Sequence, residues 1–412
     1  MPEQHAHFAP SAAHRWMACP GSLVLAAGCQ DDSSPHAREG TAAHELAAAA
    51  LLAGNDAQAY LGRVFTVEGQ DFTVDEDMAG HVQRYLDYVR DTKLSLEQAG
   101  ATVELRVEER VDFSHVVDAP DQKGTADAQL IAQWPDGRYS VVTVDLKYGR
   151  GVQVNAEGNA QLQLYTIGTV DELALLGEIR DVTLVVHQPR LDHVDEWATT
   201  HNVLHAFAEQ AREAADLARE AQQVTPAVLH HEFLHAGESQ CRWCPAKAIC
   251  PKLADTVAQV TQADFDDLTV RDEPAEHAAP ELGRAMSLVD LVEGWCKAVR
   301  AETERRLLAG TDVPGWKLVQ GRRGARKWAD DAEAETALKS MRLKQEQMYD
   351  FKLISPTTAE KLHKAGALGP RQYTRLQDLI TQPEGKPSVA PAMDKRPALA
   401  ITPTVDDFAD LT

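Results

Sequence analysis

No apolar stretch in this 412-residue chain approaches the roughly 20 residues that a membrane-spanning helix needs. The Ala-rich run from Ala47 to Ala53 is short and follows a helix-start pattern, so it reads as part of a packed helix. The opening residues, Met1-Pro2-Glu3-Gln4-His5, lack the basic-then-apolar layout of a signal peptide, and a cytoplasmic protein is expected. Positive charge is also scarce: 41 Lys and Arg stand against 63 Asp and Glu, a formal net charge of −22. Proteins that coat nucleic acid nonspecifically rely on Lys and Arg, so this balance argues against that class. It leaves room for a local basic channel. The best candidate for a channel wall is Trp295 to Lys327, with Lys297, Arg300, Arg305, Arg306, Lys317, Arg322, Arg323, Arg326 and Lys327. A solvated helix face is the competing reading. Six cysteines in a cytoplasmic chain are not expected to form a disulfide framework.

What is present is the composition of a soluble globular protein, 44% hydrophobic and 25% charged. The length allows one large domain and a smaller one. The most informative stretch is a predicted hairpin. Gly124-Thr125-Ala126-Asp127 opens one strand-like run, which continues to Trp134. Pro135-Asp136-Gly137-Arg138 has turn chemistry. Tyr139 to Asp145-Leu146-Lys147 is a second run, rich in β-branched residues. Two acids and a lysine at the end of an apolar hairpin are costly to bury without a partner, and a divalent cation is the natural one. The residues therefore point to metal-dependent phosphodiester hydrolysis. Asp145 and Lys147 lie two apart on a strand and share a face. A two-residue turn at Asp136-Gly137 would pair Asp127 with Leu146 and turn Asp127 away. A three-residue loop or a bulge between Asp127 and Asp145 is therefore predicted.

Three cysteines crowd into Cys241-Arg242-Trp243-Cys244-Pro245-Ala246-Lys247-Ala248-Ile249-Cys250-Pro251, a C-x2-C-x5-C pattern. A closed four-sulfur site needs one more thiolate. Cys19, which shares the Cys-Pro pairing, is the best candidate, with Cys29 in reserve. Four thiolates hold either zinc or a cubane iron–sulfur cluster. Cys296 reads as a small core residue of a helix. Three buried thiols that merely lie close is the bland alternative.

Around these motifs the pattern predicts a helix from Thr41, as N-cap, to about Ala53, and another over Asp75 to Gln98. Strand-like Ala101 to Val111 precedes the hairpin. A helix over Gly158 to Gly168, a strand over Asp181 to Gln188 stopped by Pro189, and a helix over His201 to Gln222 follow it. His230, His231 and His235 are expected on a helix surface. This order suits an α/β fold with a small mixed sheet flanked by helices. The expected organisation is a domain over 1–256, an acidic linker over 257–280, a mostly helical accessory region over 281–382, and a disordered acidic tail over 383–412. A short hairpin around Gly315 to Trp328 and helices over Asp331 to Met341 and Thr357 to Ala365 are expected in the accessory region. The acidic segments Ala263 to Thr269 and Asp406 to Thr412 echo each other, and chance is the favoured account.

With those residues placed, the chain resembles the PD-(D/E)XK nuclease superfamily, in particular its RecB-like branch with a four-cysteine iron–sulfur cluster. Gly40-Thr41-Ala42-Ala43-His44 looks like that branch's first motif, Gly124-Thr125-Ala126-Asp127 like the second and Asp145-Leu146-Lys147 like the third. Gln161 and Tyr165 fit its Q-x3-Y motif, and Cys19 with Cys241, Cys244 and Cys250 its one-plus-three cysteine layout. The resemblance covers about residues 11 to 255 and is closest to phage-type members with an extra C-terminal region. It implies a restriction-endonuclease-like core with an iron–sulfur clasp. It also implies a Mg²⁺ or Mn²⁺ held by His44, Asp127 and Asp145, with Lys147, Gln161 and Tyr165 completing the site. The activity implied is a DNA exonuclease of phage recombination or replication. Implied partners are DNA and a single-strand annealing protein, a single-strand-binding protein or a helicase. The competing expectations are a non-catalytic DNA-binding or scaffold protein and a zinc-stabilised interaction module.

Overall fold

The computed structural model describes residues 6–29, 35–265, 278–317, 319, 356–367 and 369–377. A 3-10 turn at Pro10–Ala12 runs into α1 (Ala13–Ala18), and α2 (Ser22–Ala26) follows. α1 buries Trp16, whose ring meets Phe8 edge-on at 5.2 Å. α3 (Pro35–Ala53) is longer than expected. Thr41 is not its N-cap but an interior residue whose hydroxyl bonds back to the Ala37 carbonyl at 3.3 Å. Proline at the first helical position supplies the start instead. A small hairpin, β1 (Val64–Val67) with β2 (Gln70–Thr73), leads to α4 (Glu76–Gln98), which Asp75 caps through Met78 N–H.

The remaining strands make one sheet of five: β3 (Thr102–Asp112), β4 (Lys123–Gln133), β5 (Tyr139–Leu146), β6 (Ile179–Gln188) and β7 (His193–Thr199), in that spatial order. Neighbours are antiparallel except β5 and β6, which are parallel and joined through α5 (Ala160–Ala174). A mixed α/β architecture with a small mixed sheet flanked by helices is therefore observed. β5 is central, and Ser140 through Leu146 are all buried, as a strand covered on both faces requires. On one face Ala128, Leu130, Val142, Val144 and Leu146 pack against the small residues of α3 and the Met78, Val82 and Leu86 stripe of α4. On the other, Ile131, Val141, Val182 and Leu184 meet α5 and α6 (His201–Ala221).

Beyond α6 come α7 (Pro226–Val228), continued by a wider turn over Leu229–Phe233, then α8 (Glu238–Arg242) and the cysteine loop. α9 (Pro251–Phe265) is helical through the first residues of the stretch expected to be a linker. α10 (Ala278–Leu308) packs Leu291 against Cys241, Leu253 and Val257, with Trp295 alongside. An apolar stripe, masked in composition by acids and alanines, gives this helix a partner. Within the expected channel wall, α10 pairs Arg305 and Arg306 with Glu302, and Lys297 lies 3.6 Å from Glu293. Its positive charge is thus partly neutralised locally. The chain divides into two compact units, Met1–Val319 and Gln320–Thr412. In the second, α11 (Pro356–Lys364) and α12 (Pro370–Gln377) are described, with His363 stacked on Tyr373 at 4.4 Å. The hairpin expected near 315–328 lies mostly outside the described residues. The helix over 331–341, the tail over 383–412 and the C-terminal acidic echo lie wholly outside them.

Candidate active site

The β4–β5 register decides whether the acidic residues meet. Gln133 pairs with Tyr139 and Ala128 with Val144, and Trp134 N–H donates to the Arg138 carbonyl across the three-residue loop Pro135–Gly137. Gly137 takes the left-handed φ of 83° that such a loop needs. The predicted one-residue shift is present, and the ladder runs to Ala128–Val144, which leaves Asp127 and Asp145 at the same end of the two strands. The ladder does not simply run on. The Leu146 N–H donates to Asp127 Oδ2 at 2.6 Å, so the carboxylate fills an acceptor place at the strand end.

Asp127 Oδ1 lies 3.0 Å from His44 Nδ1, which α3 carries across the end of the sheet. Lys147 Nζ sits 2.9 Å from Asp145 Oδ2 and donates to Gln161 Oε1 at 2.9 Å. Gln161 Nε2 in turn donates to the Tyr165 hydroxyl at 3.4 Å. His44, Asp127, Asp145, Lys147, Gln161 and Tyr165 therefore belong to one constellation, built by α3, β4, β5 and α5. Asp145 Oδ2 is buried and accepts no well-formed hydrogen bond, although the ammonium is close.

Electrostatics reinforce the geometry. Burial alone would push the His44 imidazole down, but the Asp127 carboxylate outweighs it and holds the ring up at about 9. Asp127 is also penalised by burial, yet His44 and Lys147 keep it below the usual carboxylate range. Asp145 is pushed up by burial, with Lys147 opposing. Burial would lower Lys147, and Asp145 and Asp127 more than compensate. In the absence of a cation, a proton on His44 and the lysine offset the carboxylates.

One residue of this cluster escaped the sequence reading. Glu108 of β3 brings its carboxylate within 4.8 Å of the ligand atoms of His44 and Asp127. Its φ of 50° is left-handed, costly for a residue with a side chain, and it interrupts the β3–β4 ladder between Val107–Ala128 and Glu109–Ala126. Burial and then the Asp127 charge push the Glu108 carboxyl up to about 7. Glu45, the alternative to His44, is exposed. Gly124 is needed for closeness: a Cβ there would stand 2.5 Å from Tyr165 Cε1 and 2.8 Å from Pro10 Cγ. Behind the site, buried Gln129 and Thr143 bond with Thr166 and Thr169, tying α5 to the sheet.

A cleft of about 1010 Å³ opens beside this cluster. It runs from Lys147 and Gln161 past His14 of α1 to Arg242 and Trp243. Trp243 is 69% exposed. Its neighbours in sequence, Cys241 and Cys244, line a separate small cavity with Cys19 and Cys250. Cys29 is not among the lining residues of that cavity, so Cys19 is the one that joins the loop. Cys19 Sγ accepts from His235 N–H at 3.3 Å, and burial pushes its thiol up to about 11. Among the described residues, no three cysteine sulfurs all lie within 4.8 Å of one another. The cavity they surround measures about 10 Å³.

The fold and site define a mixed α/β protein with a carboxylate, histidine and lysine cluster at the mouth of a cleft, and four thiols around a second, closed cavity. The chain belongs to the family described as "Protein of unknown function (DUF2800)", whose model matches residues 5–397. That span takes in the sheet, the carboxylate cluster and the cysteine loop. Among the described residues, no helix is long and apolar enough to cross a membrane.

Proposed function

We propose that this protein is a metal-dependent DNA nuclease resembling the RecB-like PD-(D/E)XK enzymes, an exonuclease that works on DNA ends inside a bacterial host cell. The observation that supports it is the β4–β5 register, whose last pair, Ala128–Val144, leaves Asp127 and Asp145 at one end of the sheet, with Lys147 Nζ 2.9 Å from Asp145 Oδ2. His44, Asp127 and Glu108 bring ligand atoms within 4.8 Å of one another, and Asp145, outside that group and paired with Lys147, would have to swing toward them to complete a hard oxygen and imidazole set suited to Mg²⁺ or Mn²⁺. A cation held there supplies charge to the scissile phosphate and acidity to a water. Lys147, steadied by Asp145 and Gln161, offsets negative charge developing on the phosphate. Gln161 and Tyr165 orient the strand, and the cleft toward Arg242 and exposed Trp243 offers a charged and a stacking contact for a single strand. A strand-annealing protein, a single-strand-binding protein or a helicase would be the natural companion of such an activity.

For the cysteines the same reading assigns Cys19, Cys241, Cys244 and Cys250 to a cubane iron–sulfur cluster. A single tetrahedral zinc draws four sulfurs to about 3.8 Å of each other, tighter than these thiols stand, whereas four irons spread their ligands. Zinc is the second reading, and the small cavity favours it. Anaerobic purification separates them: the cluster protein is brown, the zinc protein colourless.

The test of the activity is digestion of end-labelled linear DNA and of circular DNA with Mn²⁺, comparing wild type with Lys147→Ala. Wild type should degrade the linear DNA and spare the circle. Lys147→Ala should be slower by about 100-fold or more. Equal digestion by both proteins removes Lys147 from the mechanism. Binding without digestion by either supports a non-catalytic DNA-binding protein.

A further inference from the structure

A second group of metal-ligating side chains lies on the far part of α5, away from the carboxylate cluster. Asp171, His201 and His205 bring ligand atoms to within 4.8 Å of one another. His201 and His205 are one turn apart on α6, with ring centroids 4.6 Å apart. Two histidines at that spacing on one helix face form a chelating pair. Asp171 faces them from α5, its Oδ1 3.4 Å from His201 Nε2. Its other oxygen is 2.8 Å from the Nε2 of His115, which lies in the loop after β3.

We propose that Asp171, His201 and His205 form a structural zinc site, and that His115, which lies against the other Asp171 oxygen but outside the 4.8 Å group, swings in as fourth ligand and so clamps α5 and α6 to the loop after β3. Three neutral imidazoles and one carboxylate are a complete tetrahedral set for a borderline-soft dication, and they leave a net charge of only about +1 on the assembly. The partners are held in place by contacts that do not use the ligand atoms. Arg212 of α6 donates to the His115 carbonyl at 2.9 Å, which fixes that loop against the helix independently of the imidazole. Asp171 and His115 also border a hollow of about 420 Å³, which gives an ion a way in from solvent. His115 Nε2 and His201 Nε2 lie against the two Asp171 oxygens, and a bound ion would take the ring nitrogens and Asp171 as direct ligands in place of those contacts. The clamp acts on the helix that carries Gln161 and Tyr165 at its other end, yet the site stands whether or not the nuclease reading does.

Because zinc is the second reading for the cysteines, the experiment must tell sulfur from nitrogen ligation. The full chain is titrated with Co²⁺ and followed by visible absorption, and its zinc content after dialysis is measured for wild type, His205→Ala and the double variant His201→Ala/His205→Ala. A tetrahedral cobalt spectrum without thiolate charge-transfer bands, lost in the double variant, is expected. Wild type should retain one more zinc equivalent than the double variant. His205→Ala should bind zinc on the order of 100-fold more weakly. His205 is exposed, so its replacement leaves the packed core intact, and circular dichroism verifies the fold. Equal zinc content in all three proteins, or a cobalt spectrum carried only by thiolates, overturns the proposal.

Discussion

Replacing His44 with alanine tests whether the carboxylate cluster is assembled before any cation arrives. The imidazole sits 3.0 Å from Asp127, and this pairing lifts its pKa from an ordinary 6.5 to about 9. A basic group whose pKa is raised by folding adds stability that is complete below the unfolded value. That stability fades as pH rises between the two values and is gone above the folded one. The window here is about pH 6.5 to about pH 9. At about 1.4 kcal/mol for each pKa unit the pair is worth at most about 3.5 kcal/mol. With the His44 side chain 29% exposed, screening brings the expected figure to about 2 kcal/mol. Urea unfolding in EDTA should therefore find His44→Ala less stable than wild type by about 2 kcal/mol near pH 6, and by under about 0.5 kcal/mol near pH 9.5. With Mn²⁺ present the trend reverses, because the ion and the proton compete for the same imidazole. Wild-type Mn²⁺ affinity should rise with pH through the same window, with proton release visible by calorimetry in two buffers. A His44→Ala deficit that does not change with pH would refute the pairing and, with it, the arrangement of the donor set.

Two more outcomes follow from the same geometry. Gly124→Ala inserts a methyl 2.5 Å from the Tyr165 ring and 2.8 Å from Pro10, both of them buried, so one must shift. It should cost about 1–3 kcal/mol by thermal or urea unfolding, with loss of any activity that needs Tyr165; an unchanged Tm would mean the contact is not tight. Glu108→Gln removes a carboxyl whose pKa is raised, so at neutral pH the cation-free protein should gain stability, by at most about 1 kcal/mol given its exposure. The same change should weaken Mn²⁺ binding by isothermal titration. Lower stability together with unchanged Mn²⁺ affinity would assign Glu108 a purely structural role.

How much of this was legible depended on whether the signal was local. The β4–β5 hairpin announced itself through β-branched periodicity and turn residues, and the demand that Asp127 and Asp145 share a face required a three-residue loop or a bulge, of which the loop is found. Helix starts marked by side-chain caps, such as Asp75 on α4 and Thr200 on α6, were also close to expectation. β7 carries alternating partly buried and exposed residues with few apolar ones, as an edge strand does, so no hydrophobic period reveals it. Glu108 was hidden for a different reason: its aim depends on a left-handed residue inside a strand, which no periodicity encodes. The spacing of His201 and His205 is visible in the sequence. Asp171 and His115 join them only because α5 crosses from β5 to β6 and settles against α6, a tertiary event.

The position of Cys19 explains why a cysteine site so distant in sequence bears on the cleft. Cys19 ends α1, and its neighbour Gly21 donates to the Phe233 carbonyl at 2.9 Å, so the chain here is already pinned to the segment that leads into the cysteine loop. A Cβ on Gly21 would meet that carbonyl at 3.0 Å and Leu234 at 2.9 Å, which leaves little play. α1 also supplies His14 to the cleft wall, and the turn before it supplies Pro10, which lies over Gly124. A cofactor joining the four thiols, as proposed, would therefore fix α1 at one end. Through α1 it would set the wall facing Lys147 and Gln161, while Arg242 and Trp243 form the cleft's other end from within the cysteine loop itself. A cofactor at the cysteines needs no electron-transfer role to matter here; holding α1 and the loop together is enough to keep the cleft in register with the carboxylates.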